Sequence, residues 1–353
     1  MIFKDFLGGN GEGMLRTFTS DKQLAEVTRA AFGDGRRLDG ATRLRGGTKK
    51  GVYRTAFADG GTAIVYVWDA AEDYWPGPAN KANKADEADA SHVDHAEPFS
   101  HASGLDLFLA AHRRLDGVGA RTPELYLAGT RERFGADVAV VADVAGPNLL
   151  ELMEDDPGRA GPVLRQFGDA VAAMHTLTGP GFGKVAHVDG GGVSRGASCE
   201  AVILDRALVD LAEGAQRDAR LGAVRDDIAL RLRSLTAEIR PRSDYRLIHG
   251  ELGPEHVLID GQGRPVMIDI EGLMYFDVEW EHVFLRLRYQ DDYRFLDRPD
   301  LDPARLRLYA LAMHLSLVAG PLRLLDGDFP EREGMLQIVE HNLRRVLVVA
   351  SDW

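Results

Sequence analysis

The stretch YRLIHGELGPEHVLIDGQGRPVMIDIEG, residues 245–272, constrains this chain more than any other segment. Two short apolar runs, Val257 to Ile259 and Pro265 to Ile270, flank Asp260-Gly261-Gln262-Gly263, residue types that tolerate tight turns. The segment therefore predicts a β-hairpin. Polar residues crowd its open end: His249, Glu251, Glu255, His256, Asp269 and Glu271. A hairpin brings what precedes its first strand beside what ends its second, so Glu251, His256 and Asp269 are expected to converge. Convergent acids at a loop end suit metal binding or the orienting of a hydroxyl for attack. Phosphoryl transfer uses both, because its catalysis is mostly positioning and charge stabilisation.

Upstream, residues 41–68 predict three consecutive antiparallel strands. ATRLRGG reads as a strand ending in paired glycines, GVYRTAFADG alternates and then turns at Asp59-Gly60-Gly61, and TAIVYVW is rich in β-branched and aromatic residues. Three such strands with a glycine-bearing first turn look like a sheet that covers a nucleotide. A helix over Lys22 to Phe32 precedes them. Residues 69–103 lose all periodicity and read as an inserted, mobile segment. Its His92, His95 and His101 lie near Asp94 and Glu97, but the spacing matches no zinc motif; a solvated lid over a substrate is the alternative. A helix over 104–115 follows, with Leu105, Leu109 and Leu115 facing inward, then strands near 124–128 and 137–144. Beyond the break at Gly146-Pro147 the chain reads as mainly helical. Val163, Phe167, Val171 and Met174 share one helix face. Asp302-Pro303 is a cap and first-turn pair, and another helix runs from about 331 to 350.

Composition excludes several classes. Hydrophobic residues at 45% and charged residues at 27% describe a globular chain with a real core. A net charge of −13 argues against nucleic acid as a partner. An acidic surface attracts a cationic small molecule, although solubility alone accounts for it equally. The single cysteine, Cys199, rules out an internal disulfide framework and fits a reducing, cytoplasmic compartment. The amino terminus has no basic region followed by an apolar core, so no secretory signal is expected. The most apolar run, Leu311 to Leu322, is too short to span a bilayer.

Four segments then share one order over most of residues 41–290: LRGGTKKGVYRTAFADGGTAIVYVW, AAMHTLTGPGFG, His249-Gly250-Glu251 with His256 and a later Ile268-Asp269-Ile270-Glu271, and FDVEWEHVF. Together they resemble the aminoglycoside phosphotransferase and choline-kinase-like superfamily, with its HGD-x4-N loop and later ID-x-E segment. The resemblance implies an α+β, bilobal protein-kinase-like fold. A small N-terminal antiparallel β-sheet lobe would span residues 1–145, with the insertion 69–103, and a larger, mainly helical lobe residues 146–353. It further implies ATP or GTP as co-substrate, Mg²⁺ or Mn²⁺, and a small-molecule acceptor of aminoglycoside or amino-alcohol type. Acids such as Glu279, Glu281, Asp291 and Asp292 would line a cationic acceptor site, although surface solvation explains them equally well.

By the same resemblance Asp269 holds metal, Glu251 stands at the catalytic base and His249 organises the loop. Gly46, Gly47, Lys49, Lys50, Tyr66, Asp143 and Ala145 bind nucleotide, the segment 143–146 through its backbone. Asp277 and Glu281 support the loop. The chain departs from the pattern at three of these positions. Glu251 replaces Asp and reaches roughly 1.5 Å further, where a 1 Å misplacement costs about a hundredfold. His256 replaces the second metal-binding Asn, and imidazole suits Mg²⁺ poorly; either neighbouring Glu255 supplies an oxygen, or His256 serves only as a hydrogen-bonding loop residue. Tyr66 replaces the lysine of the third strand, so Asp106, at the position of its usual helix partner, has no ion pair to make; Lys49 or Lys50 would supply the charge from above, or both are solvated. Three functions therefore stand: a small-molecule kinase, a nucleotide-binding pseudokinase, and a nucleotidyl transferase on the same fold.

Overall fold

The computed structural model describes residues 16–75 and 94–351. The N-terminal part consists of α1 (Asp21–Phe32), β1 (Leu38–Arg43), β2 (Gly51–Phe57), β3 (Thr62–Trp68), α2 (Leu105–Asp116), β4 (Leu125–Gly129), the single-turn α3 (Arg131–Phe134) and β5 (Asp137–Ala142). Its strands form one antiparallel sheet in the order β1-β2-β3-β5-β4. The helical part follows with α4 (Leu149–Asp155), α5 (Pro157–Met174), β6 (Thr178–Gly179), β7 (Gly183–Lys184), α6 (Val185–Asp189), α7 (Cys199–Arg217), α8 (Ala219–Ala223) and α9 (Arg225–Ala237). Then come β8 (Tyr245–Ile248), the hairpin β9 (Val257–Ile259) and β10 (Pro265–Met267), β11 (Met274–Phe276), α10 (Val278–Tyr289), α11 (Pro303–Leu324) and α12 (Arg332–Ser351). The bilobal α+β architecture expected from the sequence is the one observed, and no helix among the described residues is long and apolar enough to cross a membrane.

The apolar run of β3 is explained by burial on both faces. Successive side chains of a strand point to opposite sides. Ala63, Val65 and Val67 pack with Leu24 and Val27 of α1, while Ile64, Tyr66 and Trp68 join a core built from α2, α4, α5 and the hairpin. The second helix turns Leu105, Phe108, Ala111 and Leu115 inward, with Leu107 also buried. Leu109, expected inside, is only half-buried because it lies six residues from Leu115 and so off the common face. Phe108 packs against Tyr66 and Trp68, each pair with ring centroids 5.6 Å apart. The first strand also differs from expectation. It ends at Arg43, and the paired glycines belong to the turn that follows, where Gly46 adopts φ 94°, left-handed backbone that favours glycine.

Two expected helical features hold. Val163, Phe167, Val171 and Met174 are all buried on α5, and the Asp302 carboxylate accepts from the Ala304 amide at the start of α11. The flanks of the insertion are packed rather than solvated. The Arg16 guanidinium donates to Asp328 and to the carbonyls of Ala71 and Asp73, Tyr74 meets Phe329 edge-on, and the Trp75 indole donates to Thr48 at 3.1 Å. His92 lies outside the described residues. His95 faces Asp106 at 3.6 Å and His101 faces Asp73 at 2.6 Å, and no three metal-ligating side chains gather among the described residues.

The connection from β5 to α4 is pinned to the hairpin. The Ile259 amide donates to the Pro147 carbonyl at 2.9 Å, Asn148 pairs with Leu258, and the Asn148 side chain caps α4. A Cβ on Gly146 would stand 1.7 Å from the Ile259 carbonyl oxygen. Backbone cannot yield as a side chain does, so Gly146→Ala is expected to cost about 2–3 kcal/mol through overpacking. The thermal midpoint should fall by several degrees, while Gly261→Ala, at a hairpin-turn position open to solvent, leaves it nearly unchanged.

Candidate active site

The hairpin performs the convergence expected of it. The His256 imidazole donates from Nδ1 to the Glu251 carbonyl at 2.8 Å, which turns Nε2 toward Asp269, 3.8 Å from Oδ2. Asp269 itself adopts φ 59° and ψ 46°. Left-handed backbone at a non-glycine residue is uncommon and often marks functional positions; here it aims the carboxylate back toward the glycine-bearing turn. His249 is fully buried, and its Nε2 lies 3.1 Å from the Ile268 carbonyl. Its amide and that of Gly250 donate to Glu281 at 2.6 and 3.2 Å. Asp277, also fully buried, accepts from Arg242, Arg305 and Tyr309. Of the two acids expected to support the loop, Glu281 holds two of its amides, whereas the side-chain partners of Asp277 lie outside it, at Arg242 and on α11.

Of the two lysines in the glycine-bearing turn, Lys50 turns inward to the carboxylates. Lys50 is buried, and its Nζ donates to Asp269 Oδ1 at 2.7 Å and to Glu271 Oε1 at 2.6 Å. Burial alone would depress its pKa, but the two carboxylates hold it well above the ordinary lysine value. Burial likewise opposes ionisation of Asp269, yet Lys50, His256 and Lys49 keep its carboxyl far below the usual range. Tyr66 is buried against Trp68 and Phe108, with the Lys50 ammonium 5.2 Å from its ring centroid. Lys49 points the other way, 3.6 Å from Glu251, whose largely exposed carboxylate it holds below the ordinary value. Asp106 is exposed and makes no pair with the Tyr66 position.

Other expected residues are placed differently. Glu255 is taken by Arg288 of α10 at 2.6 Å, so it props the loop and does not stand in for the metal-binding Asn. Arg54 holds the Asp143 side chain at 2.8 Å, which leaves the Asp143 backbone as its free feature, and Ala145 is exposed. Thr48, Lys49, Glu251, His256 and Asp269 open onto a cleft of about 1950 Å³; Gly46, Gly47, Lys50, Tyr66, Asp143 and Ala145 lie off its wall. Glu279 and Glu281 are fully buried, the former held by Arg242 and the Asp302 amide, and Asp291 and Asp292 are not on the cleft. None of the four acids expected to line an acceptor site does so: Glu279 and Glu281 are consumed by internal partners, and Asp291 and Asp292 lie off the cleft. Lys184 was not anticipated. It is fully buried on the cleft wall, donates to Ser100 Oγ and the Ser100 carbonyl, and has its pKa depressed to about 8 by burial and by Lys49.

As a metal site, the arrangement offers one carboxylate oxygen of Asp269 facing an open imidazole nitrogen, with Glu271 behind Lys50. A divalent ion held there would take its remaining ligands from phosphate oxygens and water, and the imidazole suits Mn²⁺ better than Mg²⁺.

Residues 57–319 match the sequence model of the phosphotransferase enzyme family. No curated protein sequence matches the chain. Among solved structures, spectinomycin phosphotransferase APH(9)-Ia in complex with ADP and spectinomycin aligns at TM-score 0.62 and 13% identity, covering 94% of this chain and 98% of that one. A thermostable mutant of aminoglycoside phosphotransferase APH(4)-Ia with ADP and hygromycin B aligns at TM-score 0.59 and 17% identity, over 91% and 98%. LicA in complex with AMP aligns at 0.54 and 13%, over 93% and 98%.

Removing Lys50 leaves two carboxylates facing each other. For Lys50→Met, a destabilisation of about 2–3 kcal/mol at pH 7 is expected, below the value for a wholly buried pair because Asp269 is partly open to solvent. The depressed Asp269 contributes stability that is present above the unfolded carboxylate value, about 3.9, and is lost as pH falls below it; the raised Lys50 contributes below about 10.4 and loses it above. The gap between wild type and Lys50→Met should be widest near neutral pH and should narrow below about pH 4, where Asp269 takes up a proton in the unfolded chain while Lys50 keeps it ionised in the folded wild type, as read by thermal melts across pH.

Proposed function

Because the chain belongs to the phosphotransferase enzyme family, we propose that it transfers the γ-phosphoryl group of ATP or GTP to a hydroxyl of a small molecule bound in the cleft. The observation that carries this reading is the gathering of Lys49, Lys50, Glu251, His256 and Asp269 beneath one glycine-bearing turn. The complexes of structural neighbours with ADP and spectinomycin or hygromycin B support a nucleotide co-substrate and a small-molecule acceptor. The resemblance extends that class to aminoglycoside-like and amino-alcohol acceptors. A reducing cytoplasm suits the buried, unpaired Cys199.

In this reading the backbone of residues 143–145 holds the base, the turn at Gly46 and Gly47 covers the phosphates, and Lys50 neutralises phosphate charge in place of a lysine at position 66. Asp269, with His256 beside it, would hold Mg²⁺ or Mn²⁺, which supplies charge neutralisation when bound; imidazole favours the transition ion of the two. Glu251 accepts a hydrogen bond from the acceptor hydroxyl and orients it. Its depressed pKa makes it a weak base, which is tolerable because phosphoryl transfer with a loose transition state asks for positioning more than proton abstraction. His249 is a positioning residue: it fixes the loop through Ile268.

A second reading has one observation in its favour. Lys50 already occupies Asp269, and Lys49 already pairs with Glu251, an arrangement that would also suit a protein binding nucleotide without turning it over. Incubation with ATP or GTP, Mg²⁺ or Mn²⁺ and a panel of hydroxyl compounds separates the two by mass spectrometry of the products. Phosphorylated acceptor is expected, with Glu251→Gln lowering kcat ~10²–10³-fold and leaving nucleotide KM within a few-fold, and Asp269→Asn abolishing turnover and weakening nucleotide binding. Nucleotide bound without any product supports the second reading, and no nucleotide binding removes both.

A further inference from the structure

We propose that the acceptor is a hydroxylated small molecule with a planar or extended apolar body and at most one positive charge, not a polycation. This rests on the reading of the cleft as the acceptor site and narrows it. Two independent features of the wall support it.

The first is the state of its carboxylates. A polycation needs spare acids, since each ammonium stripped of water without a partner is costly. Beyond the catalytic loop, the described acids on the wall are already matched. Asp328 is held by Arg16 through both oxygens, Asp326 by Arg217 at 2.8 Å, Asp73 by His101 at 2.6 Å, and Asp94 by Arg195. The wall carries cations alongside these paired acids. Arg206 lies on it over the ring of Phe99, 4.7 Å from the centroid, with its Nη2 3.0 Å from Ser316 Oγ. Lys184 stands on it with its ammonium bonded to Ser100. A polycation entering here would meet positive charge and paired acids, an arrangement that selects against it.

The second is the apolar surface. Trp75, Phe99, Trp280, Phe284, Met313 and Leu317 all line the cleft. Phe99 meets Trp280 edge-on at 5.1 Å, and Phe99, Phe284 and Leu317 are only half-buried by the protein itself. Half-covered aromatic and aliphatic side chains in a concave wall are the usual recognition surface for a ring system or alkyl chain, with a few polar groups fixing its orientation.

Binding is measured on the full chain without nucleotide, by calorimetry and thermal shift. A library of hydroxylated fused-ring, flavonoid and macrocyclic compounds with no amine or one is set against kanamycin, hygromycin B and neomycin. The expected result is saturable binding by members of the first class at least tenfold tighter than any polycation, and little changed between 20 and 300 mM NaCl. Phe284→Ala, and separately Leu317→Ala should the first variant melt early, is expected to weaken that binding at least tenfold. Tighter binding by the polycations, weakening with salt, overturns the proposal, and so does the absence of binding by the whole apolar class. A parallel reaction with ATP or GTP keeps the two questions apart: an apolar compound that binds yet is never phosphorylated leaves this proposal standing and counts against the kinase reading.

Discussion

The Lys50 ammonium, set between Asp269 and Glu271, is the interaction on which the rest of the site depends. It joins the sheet to the hairpin across the space between the two lobes, and it is the cation that bonds to both neighbouring carboxylates there. A buried ion pair adds little over an apolar contact of the same size, but it is severe when one partner is missing. The triad therefore acts less as a source of stability than as a condition on geometry. It holds the glycine-bearing turn down over the hairpin and supports Asp269 in backbone that a non-glycine residue rarely adopts.

Why the charge comes from the second strand follows from what fills the third. Tyr66, buried with Trp68 and Phe108, continues an aromatic core under the sheet, where a lysine would interrupt it. In the sheet Tyr66 lies opposite Val52. Lys50 is two residues before Val52 and so projects to the same side, close enough for its ammonium to lie over the phenol ring. The positive charge is moved by one strand while the carboxylates stay where they are. A cation beside Asp269 is thus present although position 66 holds a tyrosine, which is the physical ground for the proposal of a working enzyme.

Much of this was legible in the sequence, and the limit of legibility is consistent. The hairpin, the second and third strands, the inward face of α5 and the cap of α11 are local patterns, set by turn residues and by periods of two and 3.6, and each is found where the pattern put it, whereas the first strand ends at Arg43, before the glycines expected to close it. The partners of charged residues were not legible, because they are fixed by approach of distant segments. That Lys50 and not Lys49 turns inward depends on strand alternation carried into a turn. The burial of Glu279 depends on Arg242, that of Glu281 on two loop amides, and the loss of Glu255 to the loop depends on Arg288, 33 residues away. The insertion's flanks looked solvated because Tyr74 and Trp75 find their partners, Phe329 and Thr48, in segments far along the chain.

The central claim, that Lys50 carries the charge that position 66 lacks, is tested most directly by the affinity for ATP with Mg²⁺ of wild type, Lys50→Met and the double variant Lys50→Met/Tyr66→Lys. The account predicts a loss of tenfold or more in the single variant and partial recovery in the double variant, whose lysine starts from the adjacent strand and reaches the same carboxylates. A Lys50→Met protein that binds nucleotide as tightly as wild type would contradict it.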